Sequence, residues 1–207
     1  MIEALARRVL FAAIALAALA AMPARADEAP DAMVKRVSQD VQATIRSDPL
    51  IQSGDQARIR DLIEVKLVPN FDFTRMTALA MGRNWRNATP EQQKRLADEF
   101  RALLVRTYAG ALNQYREQTL EFKPLKMNPG DTEVTVRTQV MKTSGSPVQI
   151  DYSMEKLPDG WKAYDVIVAG VSLVTNYRDE FNEQIKSGGI DGLIKTLADR
   201  NKGTPAK

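Results

Sequence analysis

The chain has 207 residues, and its 29 lysines and arginines against 26 aspartates and glutamates leave a formal net charge of +3. It contains no cysteine and no histidine, which excludes disulfides, thiol nucleophiles, Cys/His zinc sites, Ser-His-Asp triads and imidazole acid-base steps. An enzyme made of these residues would be confined to carboxylate, lysine or tyrosine chemistry, or to a metal held by carboxylates.

Arg7 and Arg8, the apolar run from Val9 to Met22, and Ala24-Arg25-Ala26 form the three parts of a secretory signal. The run is shorter than the roughly 20 residues of a membrane span, and no cysteine follows it to carry a lipid anchor. The expected organisation is therefore a cleaved signal at residues 1–26, one domain at 27–200 and a polar tail at 201–207. Removing Arg7, Arg8, Arg25 and Glu3 takes the 29 basic and 26 acidic side chains to 26 and 25. That balance gives no electrostatic support for a nucleic-acid partner. Nothing in the pattern suggests a dimer seam, so a monomer is expected.

Met33, Val34, Val37, Val41 and Ile45 recur at spacings of three and four and predict a helix from Asp31 to Arg46. Ile59, Leu62, Ile63 and Leu67 predict a second from Asp55 to Val68, closed by Pro69-Asn70. Phe71, Phe73, Met76, Leu79 and Met81 predict a short, very apolar helix before Gly82. Thr89-Pro90-Glu91-Gln92 is a capping box with proline at the first helical position. From it Leu96, Phe100, Leu103, Leu104, Tyr108, Leu112 and Tyr115 trace a long amphipathic helix to about Gln118.

After Thr119 the period changes from 3.6 to 2. A strand is expected from Leu120 to Met127, then one through Val134, Val136 and Val140, and one through Val148, Ile150, Tyr152 and Met154. The connections Thr143-Ser144-Gly145-Ser146-Pro147 and Leu157-Pro158-Asp159-Gly160 are short enough for antiparallel hairpins. In the strand Trp161 to Ala169, Val166-Ile167-Val168 does not alternate, which predicts cover on both faces. Val171, Val174, Tyr177, Phe181 and Ile185 then take helical spacing to Ser187-Gly188-Gly189, and a last helix spans Ile190 to Asn201. The fold class read from this order is α+β: N-terminal helices, a curved and mainly antiparallel sheet of four to five strands, and C-terminal helices packed on one face.

No lipase-type G-x-S-x-G, phosphate-binding glycine loop, zinc helix or calcium loop is present. The remaining candidate site is apolar: Phe71, Phe73, Met76, Leu79, Met81 and Trp85 join the helix face ending in Tyr108, all to be covered by one small sheet. Those faces fit an ordinary packed core, with the role of a protein-binding adaptor, or a core with a hole in it. A secreted hydrolase using carboxylates is a third reading. Composition does not separate them.

The run DVIVAGVSLVTNYRDEF, residues 165 to 181, closely resembles the signature of the MlaC family, also called the toluene-tolerance auxiliary family. WRNATPEQ at 85–92 and FRALLVRTY at 100–108 are similar to a second block of that family. The resemblance implies a periplasmic, non-enzymatic phospholipid carrier with an NTF2-like outline around an apolar cavity. Its cargo would be diacyl phospholipid, with no cofactor and no metal. Its partners would be an inner-membrane MCE-domain protein of an ABC transporter and an outer-membrane lipoprotein-porin complex.

On that resemblance the expected pocket lining from the helices is Phe71, Phe73, Met76, Leu79, Trp85, Leu96, Phe100, Leu103, Leu104, Tyr108 and Leu112. From the strands it is Val134, Val136, Val148, Ile150, Tyr152, Val166 and Val168, and from the last junction Val171, Ser172 and Val174. Gly170 would permit the abrupt turn there, and Asn176, Tyr177 and Arg178 are the candidates for the rim or the headgroup.

Overall fold

The computed structural model describes residues 28–114, 118–141 and 146–203. The expected signal segment and the end of the tail lie outside these residues, as do Tyr115 and most of the turn before Pro147.

Helix α1, Pro30–Ser47, begins on a proline and buries Met33, Val34, Val37, Val41 and Ile45 along one side. Asp48 ends it and caps the short α2, Pro49–Gln52, accepting from the amides of Leu50 and Ile51. Asp55 caps α3, Gln56–Leu62, in the same way. The single helix expected from Asp55 to Val68 changes type part-way: a π-helical turn, Ile63–Leu67, and a 3-10 turn, Val68–Asn70, follow α3. Pro69 has no N–H to return to the preceding turn, so a regular α-helix cannot continue through it. Asn70 instead donates its side-chain amide to the Lys66 carbonyl at 2.7 Å.

Helix α4, Phe73–Met81, is capped by Asp72, whose carboxylate accepts from the Arg75 amide at 2.8 Å. A 3-10 turn, Gly82–Asn87, leads to α5, Pro90–Gln114. The expected capping box forms reciprocally: the Gln92 amide donates to Thr89 Oγ1 at 3.2 Å, and the Thr89 amide to Gln92 Oε1 at 3.0 Å.

The sheet is an antiparallel meander in the order β1-β2-β3-β4-β5. Its strands are Thr119–Phe122, Glu133–Met141, Val148–Leu157, Gly160–Val168 and Val171–Ser172. Strand β1 is shorter than expected because Lys123 makes the last ladder bond, to the Arg137 carbonyl, and Pro124 has no N–H with which to continue. In β4 the register shifts where Ser153 pairs with Asp165 but Met154 pairs with Ala163. Tyr164 is the extra residue of this β-bulge, and it reverses the side-chain parity of the strand. Trp161 and Ala163 before the bulge thus share one sheet face with Val166 and Val168 after it.

The junction after β4 differs from a direct strand-to-helix turn. Ala169 and Gly170 both have positive φ, 51° and 84°, and form a two-residue hairpin that pairs Val168 with Val171. Two residues of β5 then intervene before α6, Leu173–Lys202. The carboxylate of Asp165 ties this corner together, accepting from the amides of Val166 and Val174 and from Ser172 Oγ at 2.6 Å. The Ser172 hydroxyl in turn caps α6 through the Thr175 amide. Helix α6 bends at Gly189 (φ 67°, ψ −173°), where the sequence placed a break between two helices.

Two cores result. The first lies between the sheet and α1, α3 and the second half of α5, around Ile59, Val134, Val136, Met154 and Trp161. The second joins α4, the first half of α5 and α6, with the Phe100 ring edge-on to both Tyr177 and Phe181 at 5.1 Å. The bend at Gly189 is what returns Leu193, Ile194 and Leu197 to this second core. Gly189→Ala is therefore expected to cost about 1–2 kcal/mol through backbone strain alone. The neighbouring Gly188→Ala, at a helical position with open space around it, should be neutral or stabilising. Urea denaturation of the two variants checks the contrast.

Candidate functional site

The inner face of the sheet is filled at one end and hollow at the other. At the filled end Trp161 and Met154 reach α1 and α3. At the other end Val140, Val148, Ile150, Val166 and Val168 are short, and Val105 and Ala109 on α5 face them across the gap. These side chains do not span the interlayer distance, and a cavity of about 470 Å³ remains. Its size falls in the range of small-molecule sites, roughly 300–1,000 Å³.

Ser38 and Val41 of α1, the turn residues Ile63, Leu67 and Val68, and Phe71, Phe73 and Met76 close the cavity on the helical side. Its polar groups are the side chains of Ser38 and Gln118 and the hydroxyls of Tyr108 and Tyr152; the rest of the lining is apolar. Gln42 donates to the Gln118 carbonyl at 2.7 Å and joins α1 to the start of β1 beside the cavity. Burial, with a hydrogen bond to the neighbouring Tyr177 hydroxyl, raises the Tyr108 phenol above its ordinary range, so this group stays neutral. No cluster of carboxylates able to hold a metal occurs among the described residues.

From α4, Arg75 reaches round to the opposite face of the sheet. Its guanidinium lies 3.7 Å from the centre of the Tyr164 ring and bridges Glu133 at 2.7 Å and Glu155 at 2.6 Å. Burial opposes the charge on Arg75, but its bonds to Glu133 and Glu155 outweigh burial and raise its pKa. This clamp sets the helix whose first turns present Phe73 and Met76 to the cavity. Phe71 bridges Ala163 in parallel alongside β4, which sets the neighbouring segment.

Of the residues expected to line a pocket, the structure gathers Phe71, Phe73, Met76, Leu104, Tyr108, Leu112, Val148, Ile150, Tyr152, Val166 and Val168 around the cavity. Leu79, Trp85, Leu96, Phe100, Leu103 and Val174 belong to the second core instead. The reason is the course of α6, which leaves the sheet and packs on α4 and the first half of α5. Val134 and Val136 sit at the filled end of the first core, Val171 is 57% exposed at the hairpin, and Ser172 is a helix cap. Of the rim candidates, Asn176 is exposed, Tyr177 is buried against Phe100 and Phe181, and Arg178 donates to the Leu79 carbonyl at 3.1 Å.

Sequence reasoning passed over Ser38, Val41, Ile63, Leu67, Val68, Val105, Ala109, Gln118, Leu120 and Val140 as lining. Val41, Ile63 and Leu67 were visible on amphipathic faces. Val105 and Ala109 carry a subtler signal: on the α5 face they are the small members in an otherwise large series.

A family model described as MlaC protein matches residues 35–199, a span that contains every residue lining the cavity. The chain belongs to the MlaC family. Two curated proteins of this kind are similar to it. One is the toluene tolerance protein ttg2D of Pseudomonas putida, 32% identical over 112 residues, 54% of this chain. That alignment spans about half of the Pseudomonas protein, 51%. The other is the intermembrane phospholipid transport system binding protein MlaC of Haemophilus influenzae, 21% identical over 175 residues, 83% of this chain and 82% of that one. Among solved structures, a phospholipid-binding protein from Ralstonia solanacearum in complex with a phospholipid is 45% identical, with a TM-score of 0.78. The match covers 85% of this chain and 97% of the Ralstonia chain.

The two ends of the sheet in this MlaC-family chain should respond differently to added bulk. Val136→Trp, at a position 1% exposed, is expected to overpack the filled end and cost about 1–3 kcal/mol or more. Val168→Trp projects into the hollow end and should be folded with a smaller loss. Denaturation midpoints measured side by side decide the point.

Proposed function

We propose that this MlaC-family chain is a non-enzymatic periplasmic carrier that holds the acyl chains of a glycerophospholipid in the cavity and leaves the headgroup outside. The observation that carries the reading is the apolar cavity itself, about 470 Å³ between the short-residue end of the sheet and α1, α4 and α5. The 45% identical Ralstonia protein, solved with a phospholipid, supports the choice of ligand. The headgroup end is proposed to lie by Ser38, Gln118 and Tyr108, where the lining turns polar and Tyr108 is 36% exposed. No cofactor enters this function.

Energetics agree with an apolar cargo. Left without cargo, a pocket of about 470 Å³ with this lining exposes apolar surface to water, at a cost of roughly 25 cal/mol per Å². Hydrocarbon returns about 0.8 kcal/mol per buried methylene, and Met76 and the leucines can adapt to chains of different length.

In the proposed cycle, residues 1–26 direct export and are removed, and the domain carries lipid between an outer-membrane lipoprotein-porin complex and an inner-membrane MCE-domain protein of an ABC transporter. A monomer suffices for that task. No helix among the described residues is long and apolar enough to cross a membrane.

The test is native mass spectrometry of protein purified without detergent, followed by organic extraction. A mass excess that extraction identifies as diacyl phospholipid is expected. In Val168→Trp that excess should fall severalfold while the fold is retained. Bare wild-type protein that also takes up no lipid from vesicles would overturn the proposal.

A further inference from the structure

Two stretches singled out in the sequence, WRNATPEQ and NYR, are far apart in the chain and contribute nothing to the cavity beyond the Tyr108–Tyr177 contact. They meet in a second concavity, of about 980 Å³, between the 3-10 turn Gly82–Asn87 and α6. Its walls carry three guanidiniums, Arg83, Arg86 and Arg178, and three carboxamides, Asn84, Asn87 and Asn182, with no carboxylate among them. We propose that this groove is a docking site for an acidic segment of a protein partner.

Local geometry concentrates the charge. In a 3-10 helix, side chains at i and i+3 eclipse, so Arg83 and Arg86 stand above one another on one face of the turn. Neither has an ion-pair or hydrogen-bond partner among the described residues. Arg178 adds a third positive charge from α6 and is oriented by its bond to the Leu79 carbonyl at 3.1 Å. Like charges that line one hollow repel, and a ligand that brings carboxylates relieves the repulsion. A chain whose charges otherwise nearly cancel has gathered three cations in one hollow.

The turn is also held firmly. Gln93 donates its amide to the Trp85 carbonyl at 3.0 Å, Asn84 donates to Asn182 Oδ1 at 2.9 Å, and the Trp85 side chain packs on the second core. The guanidiniums are thus mounted on a fixed base, which reduces the ordering cost of binding.

The groove is separate from the cargo site. Phe73 and Met76, at the start of α4, line the cavity, whereas the groove opens beyond its last residue. The two linings share no residue, and at 1.5 Å per residue Gly82 stands roughly 9 Å along the helix from Met76. Protein carboxylates fit better than a membrane surface for two reasons. The site is concave, and its carboxamides offer acceptors as well as donors, which suit a peptide backbone and not a phosphate alone.

The inference rests on the carrier reading only for the kind of protein that would dock, one that gives or takes the cargo. The experiment keeps the two apart. A fluorescein-labelled octaglutamate peptide is titrated by anisotropy at low and at physiological salt into three proteins: wild type, Arg83→Gln/Arg86→Gln, and Arg60→Gln/Arg137→Gln. The last removes equal charge from exposed positions outside the groove. Arg178 is left in place because its backbone bond contributes to the fold.

We expect salt-sensitive binding that weakens about tenfold or more in the groove variant and stays within about twofold of wild type in the control. Phospholipid extracted from the groove variant should equal that from wild type. Equal peptide affinity in the two variants would overturn the proposal, and so would lost lipid in the groove variant. Binding to phosphatidylglycerol vesicles that depends on Arg83 and Arg86 while peptide binding does not would also overturn it, in favour of a membrane contact. Peptide binding by a protein that proves to hold no phospholipid would leave the dock standing and remove the carrier.

Discussion

One layer of side chains fills the space between the sheet and the helices above it, and those side chains are not of one size. Trp161 and Met154 fill it at one end, and the valines of β2, β3 and β4 leave it open at the other. Everything specific to the site depends on that gradient. The packed end fixes the interlayer spacing, and the fixed spacing prevents the hollow end from collapsing onto its short residues. A cavity survives in a folded protein only when the surrounding structure cannot relax into it, and here the relaxation is blocked by the filled half of the same layer.

The β-bulge at Tyr164 serves the same arrangement. Without it, strand alternation would place Ala163 and Val166 on opposite faces, and β4 could not give Trp161 to the packed end and Val168 to the hollow one. The extra residue also turns Tyr164 outward beneath Arg75, which closes the clamp on Glu133 and Glu155. One irregularity in one strand thus couples the lining on the inner face to the hold that Arg75 gives α4 from the outer one.

Much of the fold was legible because its signals are local. The capping box at Thr89, the change of period after Thr119 and the glycines at 170 and 189 each act within a few residues, and each shaped the chain where it stands. The cavity was legible only in part, because a void is a difference between two layers and no single strand contains it. Val136 and Val168 are the same residue type with the same alternation, and only the length of what faces them separates a core position from a lining one. The apolar face of α6 misled for a related reason. Val174, Tyr177 and Phe181 announce burial but not the surface they will be buried against, and the Asp165 corner aims the helix at α4 and α5.

On the proposed reading, the division into two cores also answers what a carrier must do. Lipid in a membrane already has hydrocarbon around it, so a pocket gains little from the acyl chains relative to the bilayer and needs to match that environment rather than surpass it. At about 0.8 kcal/mol per methylene, each methylene left poorly covered tilts the exchange back toward the membrane. A site with several strong polar anchors would tilt it the other way and keep its cargo. A lining of valine, leucine, phenylalanine and methionine, with few polar groups among them, lies between these failures. Rigidity is then supplied elsewhere, by the close aromatic packing of Phe100, Tyr177 and Phe181. Met76 and Leu104 line the cavity and belong to this second core as well, so the cargo rests on one wall that is held firmly and faces valines that leave it room.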